Sequence, residues 1–246
     1  MSPEEELGRR TRRSLLVMGG GAAVAAAGGT WLASGPRAEG DIPPRLRKIL
    51  GLNEKVVRSA LYSNNSLAPT FPASAIGHQK VNGIIGQEYE VVPEDWGLEL
   101  KPYGATAPSR KLTIDDVKSL PRHEEIIEFK CVEGWSAITQ FAGARFSDFT
   151  ARFCPGSERA ACVGMNTPDE VYYVSVDMPS ALHPQTLLAW EMNSAPLTDD
   201  HGAPLRLVMP VKYGIKNIKR IGRIEYTDTR PRDYWEERGY DWYAGL

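Results

Sequence analysis

One stretch of this chain has no acidic residue at all: between Asp200 and Glu225 there is not a single Asp or Glu. The same interval holds His201, Arg206, Lys212, Lys216, Lys219, Arg220 and Arg223. Over the whole chain, 29 basic residues face 31 acidic ones and the net charge is −2, so no bulk attraction to nucleic acid exists. The positive field is therefore local, and a local field of this size suits a bound phosphate or pyrophosphate. Gly214, set among the cations, lets backbone N–H groups join them. The competing reading is a solvated loop that carries lysine for solubility. Cysteine is scarce too, with only Cys131, Cys154 and Cys162. No haem-attachment motif, internal repeat or low-complexity segment follows residue 34.

What is present is ordinary for a globular protein. Apolar residues make up 42% and charged residues 24% of 246 residues, enough chain for a substantial core. The 18 prolines and 23 glycines are spread along the chain, which suits a β-rich fold with many turns. The first 34 residues differ. Thr11-Arg12-Arg13-Ser14-Leu15-Leu16 precedes an uncharged Gly/Ala-rich run from Val17 to Ala33. Paired arginines before such a run resemble a twin-arginine export signal, and an ordinary signal-anchor helix is the alternative. Residues 35–60 are polar and basic and read as a linker and an arm with helical character from Arg45 to Leu61. The domain proper is expected over 61–246.

Export predicts an oxidising compartment. Cys154 and Cys162 flank a polar, turn-rich loop in which a short-range disulfide is feasible, and Cys131 would then be the odd thiol. It closes the stretch Glu125-Ile126-Ile127-Glu128-Phe129-Lys130-Cys131. Ile127, Phe129 and Cys131 share one parity, Glu128 and Lys130 the other, which predicts a half-buried strand with Cys131 on its inner face at the end. Gly134 then permits a sharp turn. A side chain so placed can face a pocket. Further along, Val81-Asn82-Gly83-Ile84 reads as a hairpin. Thr113 caps a short helix that Pro121 ends. Strands are expected at 170–177, 205–211 and 221–227, and a short helix at 187–192 after His183-Pro184.

Several segments resemble one family. Cys131-Val132-Glu133-Gly134-Trp135-Ser136 is similar to the molybdenum-cysteine segment of the bacterial sulfite-oxidase-like oxidoreductases. His183-Pro184-Gln185-Thr186-Leu187-Leu188-Ala189-Trp190-Glu191-Met192-Asn193 resembles their following helix. His201-Gly202-Ala203-Pro204-Leu205-Arg206, running on to Lys216-Asn217-Ile218-Lys219, resembles their pterin-binding segment, and Tyr234-Trp235-Glu236-Glu237-Arg238-Gly239-Tyr240 also fits. The resemblance spans about residues 60–246, in one order. It implies a mixed, β-rich α+β fold of the sulfite oxidase molybdopterin-binding type, a single catalytic domain, and a molybdenum-molybdopterin cofactor. Cys131 then supplies the protein's thiolate to the metal, a soft donor suited to the task. Asn64, His201, Arg206, Asn217, Ile218 and Lys219 fall where cofactor contacts are expected.

The resemblance also limits the substrate. Animal and plant sulfite oxidases follow their cysteine with an Ala-Gly-Asn-Arg-Arg type sequence, and no arginine stands in Val132-Glu133-Gly134-Trp135. The segment is closer to the periplasmic reductases that repair methionine sulfoxide in proteins. Two-electron oxygen-atom transfer from S-oxides or N-oxides, small or protein-bound, is therefore expected of an exported, monomeric catalytic subunit. Its electrons would pass through a separate partner, with a membrane haem protein as the family-based expectation. Sulfite-type oxidation at the same centre is the alternative. Two rivals use no metal: a thiol enzyme with Cys131 as nucleophile and His183 or His201 as base, and a binding domain of the same fold without cofactor. Glu133, Trp135 and His183 are candidates for shaping the pocket. Their bland readings are a solvated carboxylate, a packing ring and a helix cap.

Overall fold

The computed structural model describes residues 26–31, 34, 43–60, 63, 66–88, 95–104 and 109–246. The twin-arginine segment, Asn64 and most of the uncharged run lie outside the described residues. The chain divides into two units, Met1–Asn53 and Glu54–Leu246. In the first, residues 26–31 are helical. Helix α1 covers Pro44–Ala60, as its helical character predicts. No helix among the described residues is long and apolar enough to cross a membrane.

The larger unit is built on two sheets, one mixed and one antiparallel throughout. The first runs β2 (Arg110–Leu112), β1 (Leu98–Lys101), β10 (Arg223–Thr227), β5 (Cys162–Asn166), β6 (Tyr173–Asp177). The β1–β10 pair is parallel and the others antiparallel. The second runs β3 (His123–Lys130), β4 (Ser136–Arg145), β7 (Leu187–Met192), β8 (Ala195–Pro196), with β9 (Arg206–Val208) also paired to β7. Short helices α2 (Ile114–Lys118), α3 (Phe146–Phe153) and α4 (Met178–Ala181) fill the connections. Thr113 caps α2 in a reciprocal box with Asp116, and the helix stops at Ser119, two residues before Pro121.

The main apolar core gathers Leu98, Leu100, Phe146, Phe149, Met165, Val174, Leu207 and Ile224 among others. A second, smaller cluster of Ile127, Phe129, Phe141, Leu187, Ala189 and Val208 coats one face of the second sheet. This is the face toward which Cys131 points by parity. Burying such side chains is worth about 1.5–3 kcal/mol each.

Three expectations are corrected. Residues 187–192 form a strand, not a helix. Leu187 to Trp190 are all buried between β4 and β9, and a short run apolar on both faces has no period to distinguish strand from helix. The helix lies upstream, at α4, where Asp177 caps it and Pro179 takes the first turn. Val81-Asn82-Gly83-Ile84 is no hairpin; Gly83 has a positive φ, but no strand flanks it. Finally, no disulfide forms: Cys154 and Cys162 are both buried and free, and burial raises both thiols, Cys154 to about 11.

Candidate cofactor site

Strand β3 delivers Cys131 one residue past its last pair. The antiparallel register sets Lys130 against Ser136, and the link between them is a tight turn. Cys131 N–H donates to the Trp135 carbonyl at 2.9 Å, and Gly134 N–H to the Cys131 carbonyl at 3.1 Å. Gly134 has φ +87, a conformation that glycine adopts without strain. The thiol is thus held at a fixed point, 7% exposed, on the wall of a cavity. Asn82 Nδ2 lies 3.5 Å from its Sγ.

The same cavity is lined by His201, Arg206, Asn217 and Lys219. Arg206 opens β9, paired with Ala189, so it rises from the same sheet face as Phe129 and Phe141. Its guanidinium carbon sits 5.5 and 5.2 Å from those ring centres, and one N–H donates to the His201 carbonyl at 3.1 Å. Its Nε is buried without a partner, and no carboxylate pairs with it among the described residues. Burial pushes its pKa down to about 10. A fully buried, unpaired guanidinium is costly, because desolvation removes several kcal/mol of hydration per charge.

Lys219 donates to the carbonyls of Asn82 (2.8 Å), Gly83 (3.0 Å) and Asp200 (2.6 Å). Burial, then the Arg206 charge, pushes it down to about 8. His201 is held below the usual imidazole range by burial, then by Arg206 and Lys219, and its Nδ1 is buried without a partner. Two cations lacking a carboxylate and an imidazole with a free ring nitrogen make an anion site next to a thiol. That donor set fits a phosphate-bearing pterin whose metal takes sulfur from the chain. Among the described residues no group of three or more His, Cys, Asp or Glu is arranged to hold a metal, so a metal at Cys131 must bring its other ligands with it.

The remaining expected positions divide. Asn217 lines the cavity, but its side-chain oxygen accepts from Met209 N–H and its amide donates to the Tyr213 carbonyl at 3.1 Å, so it braces its own loop. Ile218 turns its side chain into the main core, and only its backbone follows the cavity wall. Asn64 lies outside the described residues. Glu133 and Trp135 do line the cavity, joined by a 3.1 Å hydrogen bond, with Trp135 stacked on Phe129. His183 does not. It is fully buried elsewhere, where Nε2 meets the Ser66 carbonyl at 3.3 Å, and Gln185 beside it brackets both N–H and C=O of Ala68. A Cys131–His183 catalytic pair is thereby lost.

Sequence reasoning missed the aromatic wall. Tyr172, Trp235 and Tyr240 also line the cavity. Tyr172 donates to the Ile215 carbonyl at 2.8 Å, and burial raises its phenol far above the usual range. Trp235 and Tyr240 stand edge to face at 5.1 Å. Trp235 and Tyr240 stand in the sequence only as part of the Tyr234–Tyr240 segment that resembles the family, with no role attached, and Tyr172 only as part of an expected strand.

A model of the oxidoreductase molybdopterin-binding domain matches residues 85–235. This chain belongs to that family and is an oxidoreductase with a molybdopterin cofactor. It is 35% identical over 190 residues to a putative protein-methionine-sulfoxide reductase subunit, YedZ1, of Azospira oryzae, covering 77% of this chain and 72% of that one. It is 32% identical over 171 residues to the protein-methionine-sulfoxide reductase catalytic subunit MsrP of Campylobacter jejuni, covering 62% and 57%. With MsrP of Xanthomonas campestris it shares 35% over 160 residues, covering 57% and 49%. The chain thus spans about half the length of these MsrP relatives. In fold it is similar to the sulfane dehydrogenase SoxCD of Paracoccus pantotrophus, with a TM-score of 0.53 at 20% identity, over 68% of this chain and 46% of that one.

Proposed function

We propose that this chain reduces S-oxides or N-oxides, with methionine-sulfoxide-like groups as the first candidates. The observation that carries the reading is one cavity holding Cys131, an unpaired buried Arg206 and Lys219, with no arginine in the turn beside the cysteine. When bound, the molybdenum-pterin supplies two-electron oxygen-atom transfer, in which a sulfoxide, two electrons and two protons give a sulfide and water. Cys131 holds the metal. Arg206, Lys219 and His201 hold the cofactor's phosphate end. Trp135, Trp235 and Tyr240 wall off water and offer an apolar surface to a neutral substrate. The Glu133 carboxylate disfavours an anion such as sulfite at the same mouth.

The relatives named as methionine-sulfoxide reductase subunits support this reading, and the paired arginines support export by the twin-arginine route to the periplasm. Residues 1–34 would then serve as signal or anchor, 35–60 as linker and 61–246 as the catalytic part. A separate redox protein, a membrane haem protein in the first instance, would return electrons one at a time. The test uses the full chain made in a host that builds the cofactor. Molybdenum per chain is measured by elemental mass spectrometry, and reduction of a methyl sulfoxide is followed with an artificial one-electron donor. About one metal per wild-type chain and sulfoxide turnover are expected, both lost in Cys131→Ser. Wild type that holds metal but turns over only sulfite would overturn the substrate class.

A further inference from the structure

Two lysines of the acid-free run turn away from the cavity that the run was expected to serve. Lys212 and Lys216 are 3% and 1% exposed, and neither lines it. Lys216 Nζ is hydrogen bonded to the Asp233 carboxylate and, at 3.2 Å, to the Ser175 carbonyl of β6. Asp233 also accepts the N–H groups of Ser175 (3.0 Å) and Glu236 (3.1 Å). Lys212 Nζ lies 3.3 Å from Asp177 Oδ1, donates to the Tyr243 carbonyl at 2.8 Å and sits over that tyrosine's ring.

The C-terminal segment closes the assembly. Trp242 donates its indole N–H to Ser175 Oγ at 2.7 Å. Tyr213 N–H donates to the Ala244 carbonyl, and Leu246 N–H to the Val211 carbonyl. The loop from Val211 to Lys219 is therefore gripped from behind by β6 and the chain's last residues. Its front presents Gly214, Ile215, Asn217 and Lys219 to the cavity.

A buried ion pair is a weak way to gain stability, since apolar side chains of similar volume often do as well or better. Its distinguishing property is direction: both partners must sit at one distance and angle. We infer that Lys216, assisted by Lys212, is a positioning residue for the cofactor, and that the buried ion pairs and the C-terminal segment fix the backbone of residues 214–219 where it can meet the pterin. The inference rests on the cavity being the cofactor site.

Lys216→Met and Lys216→Arg are made in the full chain, in hosts with and without the capacity to build the cofactor. Pterin per folded chain is read as its fluorescent oxidation product, amide hydrogen exchange is followed through residues 211–219, and Tm is recorded. In Lys216→Met the amides of 214–219 are expected to exchange at least tenfold faster in both hosts, with pterin below a tenth of wild type and strand amides still protected. Lys216→Arg is expected to restore at least half of the pterin. A general stability defect would instead quicken exchange everywhere and lower Tm without singling out this loop. Folded Lys216→Met with wild-type loop exchange overturns the inference, whatever its pterin content. Wild type devoid of pterin would sink the cofactor reading alone, because exchange in the cofactor-free chain still decides the positioning role. If Lys216→Met does not fold, Trp242→Phe, which removes the indole N–H that Ser175 Oγ accepts together with part of the ring, carries the test: about threefold faster exchange confined to 214–219 supports the inference, and no change overturns it.

Discussion

Arg206 and the half-buried Lys219 on one side, the buried Lys212 and Lys216 on the other, come from the same acid-free run, yet they solve opposite problems. The two inward lysines find carboxylates supplied by the chain, Asp177 and Asp233. Among the described residues the two cavity cations find only carbonyl groups and, for Arg206, aromatic faces. The difference teaches how to separate structural from ligand-binding charge. A buried cation whose counter-charge is folded in belongs to the scaffold, whereas one left without it marks the place of something yet to bind.

The largest break in this comparison should come from the scaffold side. Asp233→Ala strands Lys216 in a dry interior and removes the acceptor for two backbone N–H groups. A loss of about 3–5 kcal/mol in urea unfolding is expected; a loss below about 1 kcal/mol would mean that the pair is dispensable. Gly202→Ala tests the joint between the two sides. Gly202 has φ +96, and a Cβ there would lie 2.6 Å from Lys219 Cβ and 2.8 Å from its Cα. Strain and overpacking together predict a cost of about 2–4 kcal/mol, with Lys219 displaced and pterin content falling alongside.

Arg206→Met should behave in the opposite way to Asp233→Ala. In the cofactor-free chain it removes an uncompensated charge, so stability is expected to hold or rise by about 1 kcal/mol. Pterin retention should drop about tenfold or more, the worth of a charge-assisted hydrogen bond. A destabilised Arg206→Met chain would erase the distinction between the two sides. The smallest effect is a matter of pH. Lys219 has its pKa lowered from 10.5 to about 8 in the fold. Between about pH 8 and 10 the unfolded chain therefore holds a proton that the native chain has shed, and native stability rises with pH across that window. An anion at Lys219 favours its charged form, so pterin binding takes up a proton there and weakens as pH climbs. Lys219→Met should flatten both slopes, measured by thermal unfolding and by pterin release.

Cys131 was readable in the sequence because it depends on local information: a two-residue period, a following glycine, and a short motif. The capping box at Thr113 was readable for the same reason. The strand at 187–192 was not, since Leu187-Leu188-Ala189-Trp190 is buried on both faces and offers no alternation. Nor was the split of the basic run. Which way a lysine turns depends on Asp177 and Asp233, remote in sequence from the loop on one side or both, and nothing at 212 or 216 announces them. The aromatic wall shares this cause, for Tyr172 and Trp235 meet only when β6 and the C-terminal turn are already in place.

The tight link between β3 and β4 makes the sheet a ruler for the sulfur. Eight consecutive pairs, from His123 with Gly143 to Lys130 with Ser136, count out the position of the next residue. Because strand side chains alternate, one residue inserted within β3 would swing the thiol to the opposite face, and two would carry it about 7 Å along the strand. A residue inserted at the far end, beyond His123, would leave the count and the thiol where they are.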